Sequence, residues 1–167
     1  MSTYSTIDAI DWATWTAVDL ATLCFVFDGD EVLLIRKKRG LGAGKVNAPG
    51  GRVDPGETPL QCAIRETQEE LHVTPTGALR HCGEHRFQFV DGYSLHVHVF
   101  AASTHAGTAT ETDEAIPLWT PVAAIPYDEM WADDVLWIPH MLADQRFDGR
   151  WIFDGEDIVD YVLDLVD

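Results

Sequence analysis

The 167-residue sequence is poor in bases and cysteines and has no long apolar run. Eleven Lys and Arg stand against 28 Asp and Glu, so the formal net charge is −17. Such a chain has no general attraction for nucleic acid or for an anionic membrane, and a stable complex with either is not expected. No run approaches the roughly 20 apolar residues of a membrane helix, and the opening stretch MSTYSTIDAIDWATWT lacks the basic residue of a secretory signal. The three cysteines form no CxxC pair, which predicts reduced, non-catalytic thiols and a cytoplasmic location.

The remaining composition is that of one folded domain. Hydrophobic residues make up 46% and charged residues 23% of the chain, which is ordinary for a globular protein. At this length a core forms without disulfides or a structural metal. The scarcity of lysine beside abundant aspartate fits a high-salt habitat, and an ordinary acidic protein is an equal alternative.

The positive charge is concentrated in one segment. Residues 36–52, RKKRGLGAGKVNAPGGR, contain six bases, five glycines and no acid, which leaves −23 for the rest of the chain. Bases attract anions, and glycine lets the backbone approach a ligand closely. The segment is either a flexible solvated loop or a phosphate-binding loop, and the residues that follow it favour the second.

Apolar patterning predicts an α/β fold in one domain, residues 19–167, preceded by an N-terminal extension, residues 1–18. Asp28-Gly29-Asp30 and Asp91-Gly92 are turn signals that predict two β-hairpins. The other expected elements are a short strand at 117–121, a helix near 135–144 that Pro139 starts or kinks, and strands at 147–153 and 158–165.

A helix is predicted to begin at Pro59, since Thr58 and Gln61 form a capping box around it. Helical spacing predicts a mostly apolar stripe that packs on a sheet, formed by Leu60, Ala63, Ile64, Thr67 and Leu71. On the opposite side we expect three glutamates, whose like charges repel, at positions 66, 69 and 70. A solvated acidic face explains these glutamates alone. Together with Arg65 and the adjacent basic segment, they indicate a site for a hard divalent cation such as Mg²⁺.

Residues 51–73, GRVDPGETPLQCAIRETQEELHV, resemble the Nudix box. The matching residues are Gly51, Glu57, Arg65, Glu66, Glu69 and Glu70. The resemblance implies an αβα sandwich around a mixed β-sheet, with the box as loop–helix–loop, and hydrolysis of a nucleoside diphosphate linked to another moiety. It also implies Mg²⁺, with Mn²⁺ as a substitute, held by Glu66, Glu69, Glu70 and the Gly50 carbonyl, while Arg65 orients the carboxylates through Glu57. Thr67 replaces a usual aliphatic residue and His72 a usual glycine, so the helix exit is expected to differ.

Stretches outside the box resemble the MutT-homologue branch of the family, which hydrolyses oxidised purine nucleoside triphosphates. They are residues 36–53, EMWADDVLW at 129–137 and GEDIVDYVL at 155–163. By this resemblance Asn47 reads the base, Trp131 stacks on it, and Asp133 and Asp134 recognise the purine edge as a coupled pair that keeps one proton. The other residues implied near the substrate are Thr22, Lys37, Gly50, Gly51, Arg52, Phe87 and Leu95, and Glu114 is implied near the metal. Leu41 and Val46 stand where that branch has aromatic residues, so a pocket of different shape is expected.

The leading hypothesis is Mg²⁺-dependent cleavage of 8-oxo-dGTP, with 2-hydroxy-dATP as a second candidate, to the monophosphate and pyrophosphate. The partner is then a small-molecule nucleotide, and a monomer is expected, with a dimer left open. One alternative keeps the box but changes the substrate to an unmodified nucleotide, a nucleotide sugar or a capped RNA end. The other is a non-catalytic ligand sensor, which the complete set of box carboxylates disfavours.

The histidines give a weaker signal. His96 and His98 form an HxH pair on one strand face, a spacing that can ligate a metal. With no cysteine or carboxylate run nearby in sequence, a structural role is predicted. The remaining histidines considered, His81, His85, His105 and His140, suggest no constellation.

Overall fold

A computed structural model describes residues 4–166, which form a sheet-rich α/β fold. The strands are β1 (Asp19–Asp28), β2 (Glu31–Lys37), β3 (Val46–Asn47), β4 (Gly50–Arg52), β5 (Thr74–Thr76), β6 (Arg80–Phe89), β7 (Ser94–Ala102), β8 (Thr104–Ala106), β9 (Ala115–Pro121), β10 (Arg146–Asp154) and β11 (Asp157–Val166). The helices are α1 (Pro59–Leu71) and α2 (Asp134–Leu142). Both predicted hairpins are confirmed, as β1–β2 and β6–β7.

Nine strands form one mixed sheet in the order β11-β10-β6-β7-β1-β2-β3, with β4 beside β1 and β9 beside β2. The pairs β1–β7 and β6–β10 are parallel, and the other pairs in this sheet are antiparallel. The small strands β5 and β8 pair with each other.

Strands β1 and β2 diverge along their length. They pair only at residues 26–28 of β1, whereas residues 21–23 of β1 pair with β4, and Ile35 and Arg36 of β2 pair with β3. Residues 46–52 therefore fill the gap between the diverging strands. This places the end of the basic segment inside the sheet.

Each face of the sheet has its own core. Alternate residues of β1 point to opposite sides, as strand geometry requires. Cys24 and Val26 pack with Leu71 of α1, while Phe25 packs with Trp137 of α2. The two helices therefore cover opposite faces, and the αβα sandwich is confirmed.

Helix α1 begins as predicted, because the Thr58 hydroxyl accepts from the Gln61 N–H at 3.1 Å and the Gln61 side chain accepts from the Thr58 N–H at 2.9 Å. The predicted apolar stripe is wrong at Leu60, which is 41% exposed. The expectation that all three glutamates lie opposite the sheet is wrong at Glu70, which is 5% exposed. The buried arc is centred on Ala63 and Glu70, nearly two full turns apart, so the helix turns a carboxylate inward.

The end of α1 was expected to differ from the usual Nudix geometry because His72 replaces a glycine, and this expectation is wrong. His72 adopts the left-handed conformation that glycine usually supplies at a helix end, with φ of 61°, and its N–H donates to the Gln68 carbonyl at 2.9 Å. In α2, Pro139 lies inside the helix rather than at its start.

Residues 4–18 lie against the sheet. The Ile7 N–H donates to Asp160 of β11 at 2.7 Å, and the Trp15 indole donates to Gln88 of β6 at 2.8 Å. Just before β1, the Val18 N–H donates to the Ser94 hydroxyl at 2.8 Å. The sequence alone does not decide whether the N-terminal extension docks on the domain.

The three cysteines are all buried and free. Burial raises the pKa of Cys24 to about 12 and that of Cys62 to about 11. Their thiols therefore stay protonated near neutral pH, which disfavours nucleophilic roles.

Among residues 4–166, no helix has the length and apolar character needed to cross a bilayer.

Candidate active site

A cleft of about 660 Å³ opens on the α2 side of the sheet and reaches the edge of α1. Its volume lies within the usual range for small-molecule sites. All the predicted metal and substrate residues line it: Thr22, Lys37, Asn47, Gly50, Gly51, Arg52, Glu66, Glu69, Glu70, Phe87, Leu95, Glu114, Trp131, Asp133 and Asp134. The structure therefore brings the two sets of residues into one cavity, with the glutamates towards one end and the aromatic residues and the two aspartates towards the other.

The carboxylate end is formed by Glu66 and Glu70 of α1 and by Glu114, which precedes β9. One oxygen from each lies within 4.8 Å of the others. Three carboxylates that converge in this way form the hard oxygen donor set that Mg²⁺ prefers. Glu69 also lines the cleft, but its carboxylate is exposed and accepts from Arg65 at 3.0 Å.

Two glycines allow the backbone to lie against this end. A Cβ at Gly50 would lie 2.0 Å from the Thr22 carbonyl oxygen, and one at Gly51 would lie 2.4 Å from Cδ of Glu66. The Gly50 N–H donates to Glu70 at 3.2 Å. A side chain at position 51 would fill the space beside Glu66, so glycine here keeps the carboxylate end open.

Arg65 and Glu57 do not line the cleft but lie behind it. The Arg65 guanidinium holds the Glu57 carboxylate through two bonds, at 2.7 and 2.9 Å, and donates to Glu66 at 2.9 Å. It also donates to the Arg52 carbonyl at 3.2 Å. These bonds lower the pKa of Glu57 to about 2, and the Asp54 N–H adds to the effect. A planar fork of this kind fixes carboxylate orientation, which a lysine could not do as well.

The carboxylates of the cleft are hard to ionise together without a cation. Burial raises the pKa of Glu70 to about 8, and the neighbouring Glu66 and Glu114 charges raise it further, against the Gly50 N–H and Lys37. Burial likewise raises the pKa of Glu66, although Arg65 opposes the shift. A bound divalent cation would offset this repulsion, which is a further sign that the donor set fits one.

The aromatic end contains Trp131 and Asn47. The Trp131 ring meets Phe89 and Phe153 edge-on, at centroid distances of 6.3 and 5.8 Å. Asn47 lies on β3, and its side-chain oxygen accepts from the next backbone N–H, that of Ala48, at 2.9 Å. This bond orients the amide and leaves its nitrogen as a donor.

Asp133 and Asp134 are both buried in the wall of the cleft, at 3% and 4% exposure. Asp133 accepts from the Trp137 indole at 2.8 Å, whereas Oδ2 of Asp134 has no hydrogen-bond partner within the described part of the chain. Burial raises the pKa of Asp133 to about 6, and burial with the Asp133 charge raises the pKa of Asp134 well above its usual value. The Trp137 hydrogen bond favours the anion of Asp133, and that charge favours the protonated form of Asp134. Asp133 is the N-cap residue of α2, but its side chain makes no capping hydrogen bond, so helix capping does not account for it.

The bases of residues 36–52 are mostly paired with acidic side chains from other parts of the chain, which the sequence did not indicate. Five of its bases form ion pairs with distant acids: Arg36 with Glu129, Lys38 with Glu111, Arg39 with Glu114, Lys45 with Glu156 and Arg52 with Asp19. Lys37, Arg39 and Arg52 line the cleft. Exposed ion pairs of this kind are weak, so these side chains can exchange a carboxylate for an anionic ligand.

The sequence reasoning missed several lining residues, among them the aromatic residues Phe89, Tyr93 and Phe153. Phe89 is two residues from Phe87, so strand alternation could have identified it. Phe153 enters the cleft because β10 pairs in parallel with β6, with Phe153 opposite Phe89. Tyr93 also lines the cleft and donates to Asp19 at 2.8 Å.

Comparisons with known proteins agree with this geometry. Residues 18–141 match the NUDIX domain. This chain belongs to the Nudix family. Nudix hydrolases use divalent metal ions, in agreement with the carboxylate end of the cleft.

Relatives and solved structures extend the match beyond the Nudix box. The chain is 45% identical over 150 residues to the oxidized purine nucleoside triphosphate hydrolase of Danio rerio, a match that covers 89% of this chain and 96% of the relative. The Mus musculus protein of the same name is 40% identical over the same shares. A crystal structure of a MutT protein from Bacillus halodurans superposes with a TM-score of 0.79 at 27% identity, over 88% of this chain and 98% of the other.

Proposed function

We propose that this Nudix protein is a Mg²⁺-dependent hydrolase of oxidised purine nucleoside triphosphates, with Mn²⁺ as a substitute ion. It would convert 8-oxo-dGTP, and 2-hydroxy-dATP as a second substrate, to the monophosphate and pyrophosphate, and so remove damaged precursors from the nucleotide pool. The observation that supports it best is one cleft that joins a carboxylate cluster to an aromatic pocket walled by two buried aspartates. The two relatives that carry this activity in their names match almost their whole length.

The carboxylate end would bind the ion and the phosphates. Glu66, Glu70 and Glu114 would hold Mg²⁺, with the Gly50 carbonyl and Glu69 as further ligands. When bound, the ion offsets negative charge on the phosphates and lowers the pKa of a bound water. Behind it, Arg65 positions Glu66 through the guanidinium bond and is itself anchored by Glu57.

Positive side chains would bind the phosphates that the ion leaves uncovered. Lys37 lies near enough to Glu70 to lower its pKa, which places a positive charge beside the carboxylate cluster. Arg52 is largely exposed, and its ion pair with Asp19 is loose at 3.8 Å, so its side chain can turn towards the phosphate chain. Thr22 and Gly51 are direct partners in the β1–β4 pairing and form the wall between the two ends of the cleft.

The aromatic end would select the base. Trp131 offers a ring face for stacking, and Phe87 and Leu95, opposite each other on β6 and β7, close the pocket. The Asn47 amide nitrogen can donate to the base. A neutral Asp134 donates a hydrogen bond while an ionised Asp133 accepts one, a pattern that suits the altered donors and acceptors of an oxidised purine.

A substrate panel with product analysis tests the proposal. We expect kcat/KM for 8-oxo-dGTP to exceed that for dGTP by about 5–150-fold, since one good base contact is worth roughly 1–3 kcal/mol. Glu66→Gln should abolish turnover, whereas Glu111→Gln, which changes an exposed carboxylate outside the cleft, should not. Equal kcat/KM for both nucleotides would reject the sanitising role, and nucleotide binding without turnover across the panel would favour a sensor.

The expected partner is the nucleotide alone, and we expect the enzyme to act as a monomer. Light scattering at assay concentrations measures the mass directly. A mass of twice 18.6 kDa would show a dimer instead.

A further inference from the structure

A second group of metal-ligating side chains lies on the sheet face opposite the cleft. His81 and Glu84 belong to β6, and His98 belongs to β7. Leu95 and Val97 of β7 line the cleft, so by strand alternation His98 points to the other side. All three side chains are half-buried, which keeps them within reach of a solvated ion.

A β-bulge brings these residues together. His81 and Glu84 are three positions apart, and in a regular strand that spacing places two side chains on opposite faces. The register of β6 against β7 shifts between His81 and Gly83, which adds one residue and turns both side chains to the same side. Glu84 is then the direct cross-strand partner of His98. No carboxylate run lies near the HxH pair in sequence, but the structure brings Glu84 of the neighbouring strand beside it.

The ligand atoms are spaced as a small cation requires. Nε2 of His81 lies 2.9 Å from Nδ1 of His98, and Oε2 of Glu84 lies 3.8 Å from the same nitrogen. Zinc bonds to nitrogen and oxygen of about 2.0–2.2 Å place tetrahedral ligand atoms roughly 3.4 Å apart. The two observed distances lie on either side of that value. The 2.9 Å separation corresponds to a hydrogen bond between the two imidazoles, and a cation would replace the proton of that bond.

The surrounding groups hold the carboxylate in place. Oε1 of Glu84 accepts from Arg86 at 2.9 Å and lies 3.1 Å from Nε2 of His96, so the other oxygen remains for the ion. Arg86 also donates to Asp148 at 3.1 Å, which balances its charge. Such supporting bonds to a ligating carboxylate are typical of metal sites in proteins.

We propose that His81, Glu84 and His98 form a binding site for a divalent transition metal of the zinc class, with the fourth position open to water. Two imidazole nitrogens and one carboxylate oxygen are the ligands that zinc takes in three-residue sites. The site lies on the opposite face from the Mg²⁺ carboxylates and does not rest on the proposed hydrolase function.

One neighbour opposes the ion. Arg146, exposed at the start of β10, lies with its guanidinium 2.9 Å from Nδ1 of His81. A metal at Nε2 leaves the proton on Nδ1, so Arg146 must turn away when the ion binds. Removal of this arginine is therefore expected to strengthen the site.

Zinc binding to the metal-free full chain tests the proposal. Glu66→Gln and Glu70→Gln in the background remove the carboxylate site, and equilibrium dialysis with metal analysis then measures stoichiometry and Kd. We expect one Zn²⁺ per chain, and we expect Co²⁺ to give the visible absorption band of a low-coordinate nitrogen site. Glu84→Gln and His98→Ala should each weaken binding by more than about 100-fold, since supporting contacts alone are worth about 10–100-fold.

The controls separate ligation from folding. His105→Ala changes a histidine outside the cluster and should leave the Kd unchanged, while Arg146→Gln should tighten binding several-fold. Circular dichroism melts without metal show whether each variant folds, and the near-isosteric Glu84→Gln keeps the test valid if His98→Ala does not fold. In an otherwise unchanged chain, His98→Ala should keep its Mg²⁺-dependent turnover. Absence of a bound Zn²⁺, or equal Kd values in Glu84→Gln and the background, would overturn the proposal, and weaker binding in Arg146→Gln would contradict the role given to Arg146.

Discussion

Replacing Asp134 by leucine should weaken catalysis and strengthen the fold at the same time. The two effects have one cause, because Oδ2 of Asp134 is buried without a partner in residues 4–166 and is the atom that, under the proposed function, contacts the base of the substrate. Leucine has nearly the same shape, and it removes the orphaned oxygen without leaving a large cavity. A purely structural aspartate would give losses in both properties.

The magnitudes follow from the cost of one unpaired buried group, about 1–3 kcal/mol. Loss of that contact to the substrate lowers kcat/KM for 8-oxo-dGTP by about 5–150-fold, at about 1.4 kcal/mol per tenfold. Relief of the unpaired group raises the unfolding free energy by the same amount, about 1–3 kcal/mol, or roughly 2–12 °C in Tm for a chain of this size.

The stability gain should depend on pH. Burial and the Asp133 charge raise the pKa of Asp134 in the folded chain, so its contribution to stability is complete below the ordinary carboxyl range and is lost as pH rises. Leucine has no such loss. The difference in Tm between the variant and the parent should therefore be larger at pH 8 than at pH 5.

Steady-state kinetics and thermal melts on the same samples provide the assay, with Asp134→Asn as the matched control. Asparagine keeps a neutral donor, so its kcat/KM should fall less than that of the leucine variant, while its Tm becomes less sensitive to alkaline pH. Parent-like kcat/KM in Asp134→Leu would show that this carboxyl does not touch the substrate. A lower Tm in the same variant would show that the group is satisfied in the folded chain.

Three further substitutions test the remaining parts of the cleft and the core. Trp131→Ala should raise KM by about 5–150-fold through the loss of stacking worth roughly 1–3 kcal/mol, and Trp131→Phe should lose less; equal KM values would remove Trp131 from the base pocket. Glu70→Gln should abolish metal activation yet melt higher than the parent in metal-free buffer at pH 8, because burial raises the pKa of Glu70 to about 8 and its contribution to stability is lost as pH rises through that value. Burial lowers the pKa of His85 to about 3, so its contribution is present above pH 6.5 and is lost as pH falls. Between pH 7.5 and pH 4 this amounts to about 3 kcal/mol, and denaturant melts of His85→Gln should show a smaller acid loss than the parent.

Local chemistry made much of α1 predictable. The capping box depends on residues three apart, and the structure confirms both of its hydrogen bonds. The prediction of which α1 side chains are buried failed at Leu60 and Glu70 for a different reason. Glu70 is accepted inside because the Gly50 N–H, twenty residues away, donates to it. Periodicity of apolar residues contains no information about such a distant donor.

The residues that line the cleft also fall into those the sequence could identify and those it could not. Asn47, Trp131 and the aspartate pair were assigned through resemblance to a known branch of the family, and the structure places them in one cavity. Phe153 could not be found by that route, because its place beside Phe89 depends on a parallel pairing between strands more than sixty residues apart. The His81–Glu84–His98 cluster was hidden by a bulge, which reverses the face that simple alternation gives.

The gap between β1 and β2 has a consequence for how this enzyme can change. Residues 46–52 carry Asn47 at one end and Gly50 near the other, and pairing with β1 and β2 holds both in one stiff piece of backbone. A mutation that shifts this piece near Asn47 would also displace the glycine backbone beside Glu66 and Glu70. Trp131 and the aspartates are attached separately, through α2 and the turn before it. Under the proposed function, substitutions on the α2 wall would therefore change base preference with less effect on the carboxylate end, whereas a change in residues 46–52 would affect both.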